Sequence, residues 1–121
     1  MSKKRIKLTV NQKHIFFSEW EDNPTTQALI SQMPLTLQMN NLYNREICYR
    51  FGAGKLPIAT ATNKGYAVGD ISYWPPMGSL VILYEQNGEH FQQVPIGHIL
   101  QDVSLFKELA IAEIVFEEIN E

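Results

Sequence analysis

At 121 residues the chain suits one domain spanning its whole length, with too few residues for two separate cores. Hydrophobic residues at 45% and charged residues at 19% furnish a packed interior and exclude a disordered polymer. A formal charge of −3 argues against a phosphate-binding surface, which rests on clustered Lys and Arg, so no nucleic-acid partner is expected.

The basic opening, Lys3, Lys4, Arg5 and Lys7, reads as solvated charge near a terminus. The stretch KLTVNQKHIFF that overlaps it is interrupted by polar residues and lacks a small-residue cleavage site, so no export signal is read. No apolar run approaches the roughly 20 residues that span a bilayer, and no membrane partner is expected. Cys48, the single cysteine, allows no internal disulfide, which agrees with a reducing, cytoplasmic setting.

Ile6, Leu8 and Val10 alternate with Lys7 and Thr9, and Asn11 and Gln12 offer a tight reversal into a second strand, His14–Trp20. That strand carries large apolar groups on both parities, Ile15 and Phe17 against Phe16 and Trp20, which predicts cover on both faces. Asn23 as N-cap, Pro24 at the first helical position and Pro34 as a stop predict a helix of about two and a half turns, with Leu29, Ile30 and Met33 toward the core. Leu35, Leu37 and Met39 then alternate with Thr36, Gln38 and Asn40 as a half-buried strand. Asn40, Asn41 and Asn44 read as a loop, after which Ile47, Tyr49 and Phe51 alternate with Cys48 and Arg50.

Residues 52–69 hold four glycines and Pro57 and read as loop with short irregular strand. Strand character returns over 71–74, breaks at Pro75 and Pro76, and resumes as an unbroken apolar run over 80–84, suited to a central strand buried on both faces. Asn87 and Gly88 predict a hairpin turn into a strand over 91–94, and a further short strand follows Pro95 over 96–100. Leu105, Leu109, Ala112, Phe116 and Ile119 fall at helical spacings, yet IAEIVF is rich in β-branched residues. The balance predicts a short helix over 104–109 followed by an edge strand.

The stretches EDNPTTQALISQMPLTLQM and GDISYWPPMGSLVILY, with PIGHIL followed by a short helix, resemble a group of small bacterial proteins with a cyclophilin-like barrel. The resemblance runs from about residue 5 to residue 118 and implies a mainly β fold: a closed barrel of about eight strands with two short capping helices. It also aligns the chain with the prolyl isomerases of the cyclophilin family. Arg50, in ICYRFG, then stands where those enzymes aim an arginine at the prolyl amide.

The isomerases' pocket phenylalanine falls on Ile82 and their pocket histidine on Gln93, their glutamine-and-glycine motif is replaced by FGAGKLP, and their tryptophan-bearing loop has no counterpart. Efficient proline isomerisation is therefore not expected. Trp74, Pro75, Pro76 and Met77 instead suggest a groove beside Arg50 for an apolar ligand or peptide, which makes Arg50, Trp74, Met77, Ile82 and Gln93 the candidate ligand-binding set.

Other motifs carry less. GAGK at residues 52–55 has too short a glycine spacing for a phosphate loop, and Pro57 prevents the helix such a loop opens. His14, His90 and His98 show no paired ligand spacing, so neither metal nor cofactor is expected. Ser79 lies in no nucleophile elbow, and Glu113, Glu117, Glu118 and Glu121 read as a solvated edge. Three functions follow: a non-catalytic binding module, a weak prolyl isomerase, or another enzyme using the barrel as scaffold. The last requires two titratable groups within hydrogen-bond reach in one cleft.

Overall fold

The computed structural model describes residues 4–58 and 61–119, so Lys3 and Glu121 of the two charged ends lie outside the described residues. Asn11 and Gln12 take φ of 54° and 61°, the left-handed pair of a tight turn closed by Lys13 N donating to the Val10 carbonyl at 3.1 Å, and with Lys13 they join β1 (Lys4–Val10) to β2 (His14–Trp20). Helix α1 (Pro24–Ile30) starts as its sequence signals: Asn23 Oδ1 accepts from Thr26 N at 2.9 Å, and Thr26 Oγ1 accepts from Asn23 N at 2.9 Å. It ends sooner than predicted, with Ser31 as C-cap, and Ile30 and Met33 are only partly buried while Leu29 is fully so.

The remaining strands are β3 (Leu35–Leu42), β4 (Glu46–Arg50), β5 (Asp70–Trp74), β6 (Ser79–Leu83), β7 (Val94–Ile99) and β8 (Ile111–Glu118). They close into an antiparallel barrel in the order β1-β2-β7-β5-β6-β4-β3-β8. Closure gives every strand two partners and removes the open edges of a flat sheet. Inside it Ile6, Leu8, Trp20, Met39, Ile82 and Phe116 pack into one core, to which α1 adds Leu29. The second capping helix is a five-residue 3-10 turn, Ser104–Glu108, whose Phe106 lies 5.1 Å from Phe16 between ring centroids.

Five local expectations are corrected by this topology. Ile15 is 53% exposed, because only the Phe16, Ser18 and Trp20 parity of β2 faces the interior. Asn40 and Asn41 belong to β3, the turn being made by Tyr43 and Asn44 at φ of 60° and 50°. Asn41 Nδ2 donates to the carbonyls of Phe106 and Leu109 at 3.2 and 2.8 Å, while its Oδ1 accepts from the Tyr84 hydroxyl, so the amide ties β3 to the chain beside the 3-10 turn. Asn87 and Gly88 close no hairpin: β6 is already flanked by β4 and β5, leaving no free edge for a strand over 91–94. Pro95 does not split β7 but sits opposite Ser72 at an irregularity in the β5–β7 register, where a missing N–H is tolerated. β8 is a strand, as the β-branched run predicts, yet it pairs with both β1 and β3 and is no edge.

Candidate binding cleft on the outer face of the barrel

Strands β4, β6 and β5 lie side by side, and their period of two sends alternate residues to opposite faces. Ile47, Leu80, Ile82, Ile71 and Tyr73 enter the interior core. The other parity carries Glu46, Cys48 and Arg50 on β4, Ser79, Val81 and Leu83 on β6, and Ser72 and Trp74 on β5. Arg50 stands opposite Ser79 and Ser79 opposite Trp74, so these three form one row across the sheet. At about 4.8 Å between neighbouring strands, the Arg50 and Trp74 backbones are about 10 Å apart.

The row opens onto a cleft of about 330 Å³, within the range of small-molecule sites. Tyr43, Arg45 and Glu46 form a second wall, and Asn87, Glu89 and Phe91 of the segment after β6 a third. That segment is fastened by an apolar cluster on the outer face, in which Cys48, Tyr66, Val81 and Leu83 pack with Leu42 and Phe91. The Tyr66 hydroxyl adds a hydrogen bond to the Glu85 carbonyl at 2.7 Å.

Gly78 sets the approach to the row. Its φ of 62° ends the 3-10 turn Pro75–Met77, and a Cβ there would meet the Gly52 carbonyl oxygen at 2.1 Å, so only glycine fits. This contact lets Phe51 N and Gly52 N donate to the carbonyls of Gly78 and Met77 at 2.8 and 3.1 Å, which seats β4 against β6 next to Arg50 and Ser79.

The electrostatics centre on two arginines. Arg45 donates from Nε and Nη2 to Glu46 Oε1, at 2.8 and 2.5 Å, and from Nη1 to Glu89 Oε1 at 3.0 Å. Its guanidinium also lies 5.4 Å from the Tyr43 ring and 5.1 Å from the Phe91 ring, in range of cation–π attraction. Burial opposes the charge on Arg45, but the hydrogen bonds and charge of Glu46, with Glu89, hold its pKa above the ordinary value. Glu46 is only 4% exposed, and burial pushes its carboxyl above the usual range against the pull of Arg45. Arg50 is exposed and donates from Nη2 to the Tyr43 hydroxyl at 3.1 Å, the main cause of its raised pKa. Among the described residues no carboxylate stands within ion-pair distance of Arg50. Ser79 Oγ is buried beside the Cys48 thiol, and burial raises that thiol's pKa against the pull of the Ser79 hydroxyl.

The Cyclophilin-like family matches residues 8–117. This chain belongs to the cyclophilin-like family. The solution structure of a hypothetical protein from Archaeoglobus fulgidus is similar to it, with a TM-score of 0.70 at 14% sequence identity over 97% of this chain and 95% of that one. At that identity the likeness shows a shared fold alone. No curated protein matches the chain.

Within this cyclophilin-like barrel, the five candidate residues do not meet. Arg50 and Trp74 line the cleft together. Met77, 45% exposed in the 3-10 turn, is not among the lining residues. Ile82 is completely buried in the interior core, because its parity on β6 is the inward one. Gln93 is buried between a hydrogen bond from the Ser72 hydroxyl and one to the Gly65 carbonyl at 2.9 Å, and it lines a separate cleft of about 260 Å³. The isomerase alignment therefore assembles no pocket around Arg50.

Tyr43, Arg45, Glu46, Glu89 and Phe91 are cleft residues that sequence reasoning missed. Glu46 had a signal, since a period of two places it on the face of Cys48 and Arg50. The others come from turns and loops with no period. The second cleft holds a titratable pair, His98 Nδ1 at 2.8 Å from Asp70 Oδ1, but Asp70 Oδ2 also accepts from Ala67 N at 2.8 Å and so braces its own turn. Among the described residues no three His, Cys, Asp or Glu side chains are grouped to hold a metal ion, and no helix is long and apolar enough to cross a membrane.

Proposed function

We propose that this cyclophilin-like barrel is a non-catalytic binding module whose outer cleft holds a small ligand or an extended peptide. The observation that carries the reading is the row of Arg50, Ser79 and Trp74 along one side of a cleft walled by the segment after β6. It offers a cation with no carboxylate within ion-pair distance among the described residues and, across the row, a flat indole, which are elements of specific small-ligand capture. A polar groove of about 500 Å³ on the other side of Arg50, lined by Gln38, Asn40 and Tyr49, leaves room for an extended peptide to continue past the arginine. The single, buried and unpaired Cys48 suits a reducing, cytoplasmic location.

The test is an amide-resolved NMR titration of the full chain with a library of small anions, aromatic fragments and short peptides. Shifts concentrated on Arg50, Trp74, Ser79 and Val81, and abolished by Arg50→Ala, are expected; shifts scattered over the surface would reject the cleft. A protease-coupled peptide assay checks the catalytic alternative, and no rate above the uncatalysed reaction is expected, because Ile82 and Gln93 contribute nothing beside Arg50.

A further inference from the structure

The charges of the outer cleft are laid out unequally. Glu46 and Glu89 both bind Arg45, so that end of the cleft holds two carboxylates on one guanidinium. Both bonds to Glu46 land on Oε1, and no donor among the described residues reaches Oε2. Arg50 stands four residues along the same face of β4 and, among the described residues, hydrogen-bonds from its side chain only to the Tyr43 hydroxyl. At a rise of about 3.3 Å per residue the two ends are about 13 Å apart along the backbone. The Glu46 and Arg50 side chains shorten that gap. The cleft thus has an excess of negative charge at one end and of positive charge at the other. Ser79 and Trp74 share the row of the positive end.

Resting on the reading of this cleft as a binding site, we infer that its ligand is a short peptide of two or three residues with free termini, the carboxylate on Arg50 and the ammonium between Glu46 and Glu89. An extended residue spans about 3.3–3.6 Å, so a single amino acid is too short to serve both ends and a tripeptide fills the gap. A guanidinium with no acidic partner receives a carboxylate through paired, charge-assisted hydrogen bonds, and Trp74 offers its face to the neighbouring side chain. The second carboxylate on Arg45 supplies the charge that holds an ammonium group.

The experiment compares four probes on the full chain by NMR titration: Ala-Ala-Phe, its N-acetyl form, its C-terminal amide, and the doubly capped form. The free peptide should bind tightest, and each cap should weaken binding about tenfold, the scale of one charge-assisted contact. Arg50→Gln should erase the penalty of the amide cap, and Glu89→Gln, at an exposed position that leaves the fold intact, should shrink the penalty of the acetyl cap. Equal affinity of all four probes, with shifts still confined to the Trp74 row, would overturn the charge axis and leave the cleft standing as a binding site. An acetylated probe as tight as the free peptide would likewise overturn it, leaving a simple carboxylate site. If neither these probes nor any compound of the wider library moves the cleft signals, the binding reading itself falls.

Discussion

The two faces of the β4–β6–β5 sheet both bury most of their residues, yet they are built from different chemistry. The inner face is apolar apart from the hydroxyls of Tyr73 and Tyr49, with Ile47, Ile71, Leu80 and Ile82 packed into the barrel core. The outer face buries Glu46, Ser72, Ser79 and Cys48 beneath a segment that carries Phe91 and Glu89. Apolar burial stabilises in proportion to area, whereas burying a carboxylate or an unpartnered hydroxyl costs free energy. The contrast teaches that the inner face is a stability element and that the outer face retains polar groups at the expense of stability.

Ile82→Ala strikes the inner face and should have the largest effect, about 2–5 kcal/mol lost in urea denaturation, from transfer and cavity costs together. A loss below about 1 kcal/mol would mean that the inner face is not close-packed. Glu46→Ala strikes the outer face and leaves Arg45 with only the exposed Glu89 as partner. A loss of about 2–3 kcal/mol is expected, at or below the low end for broken buried pairs because Arg45 keeps that second carboxylate.

The pH dependence sharpens the same contrast. Burial raises the Glu46 carboxyl above its ordinary value, so the folded protein holds this proton more tightly than the unfolded chain does. Stability contributed by Glu46 is therefore full below the unfolded value of about 4.3 and is lost as pH rises through the raised folded value. The wild type minus Glu46→Gln difference in unfolding free energy should fall with rising pH across that window; a rising difference would place the pair in the opposite regime. Arg50→Ala should change stability least, by within about 0.5 kcal/mol, since the side chain is exposed and bonds only Tyr43. The same variant should lose cleft binding, and separating those two readouts distinguishes recognition from scaffold.

Legibility in the sequence follows the reach of the interactions. The β1–β2 turn, the Asn23 cap, the alternation of β3 and the doubly buried run of β6 were readable, because each depends on contacts within a few residues. The hairpin expected at Asn87 and Gly88 was misleading, since a turn-forming pair states how a chain bends and not whether a strand edge is free to receive it. That Arg50 and Trp74 line one groove was readable through the family resemblance and the composition of the Pro75–Met77 turn. Ile82 and Gln93 were not excluded, because alignment to a family pattern carries position along the chain without the parity that sends a side chain inward or outward.

By itself the sequence determined that β4 and β6 each present two distinct faces, since a period of two follows from backbone geometry alone. It determined, too, that Arg50 and Glu46 share one of those faces. Only the tertiary structure decided that β6 lies between β4 and β5 in a register that places Ser79 between Arg50 and Trp74. It also decided that the segment after β6 folds over them and brings Glu89 to Arg45. The Arg50–Ser79 and Arg45–Glu89 pairings join residues 29 and 44 positions apart, where barrel closure and side-chain packing select the neighbour, whereas Ser79 and Trp74, five apart, meet in a local hairpin.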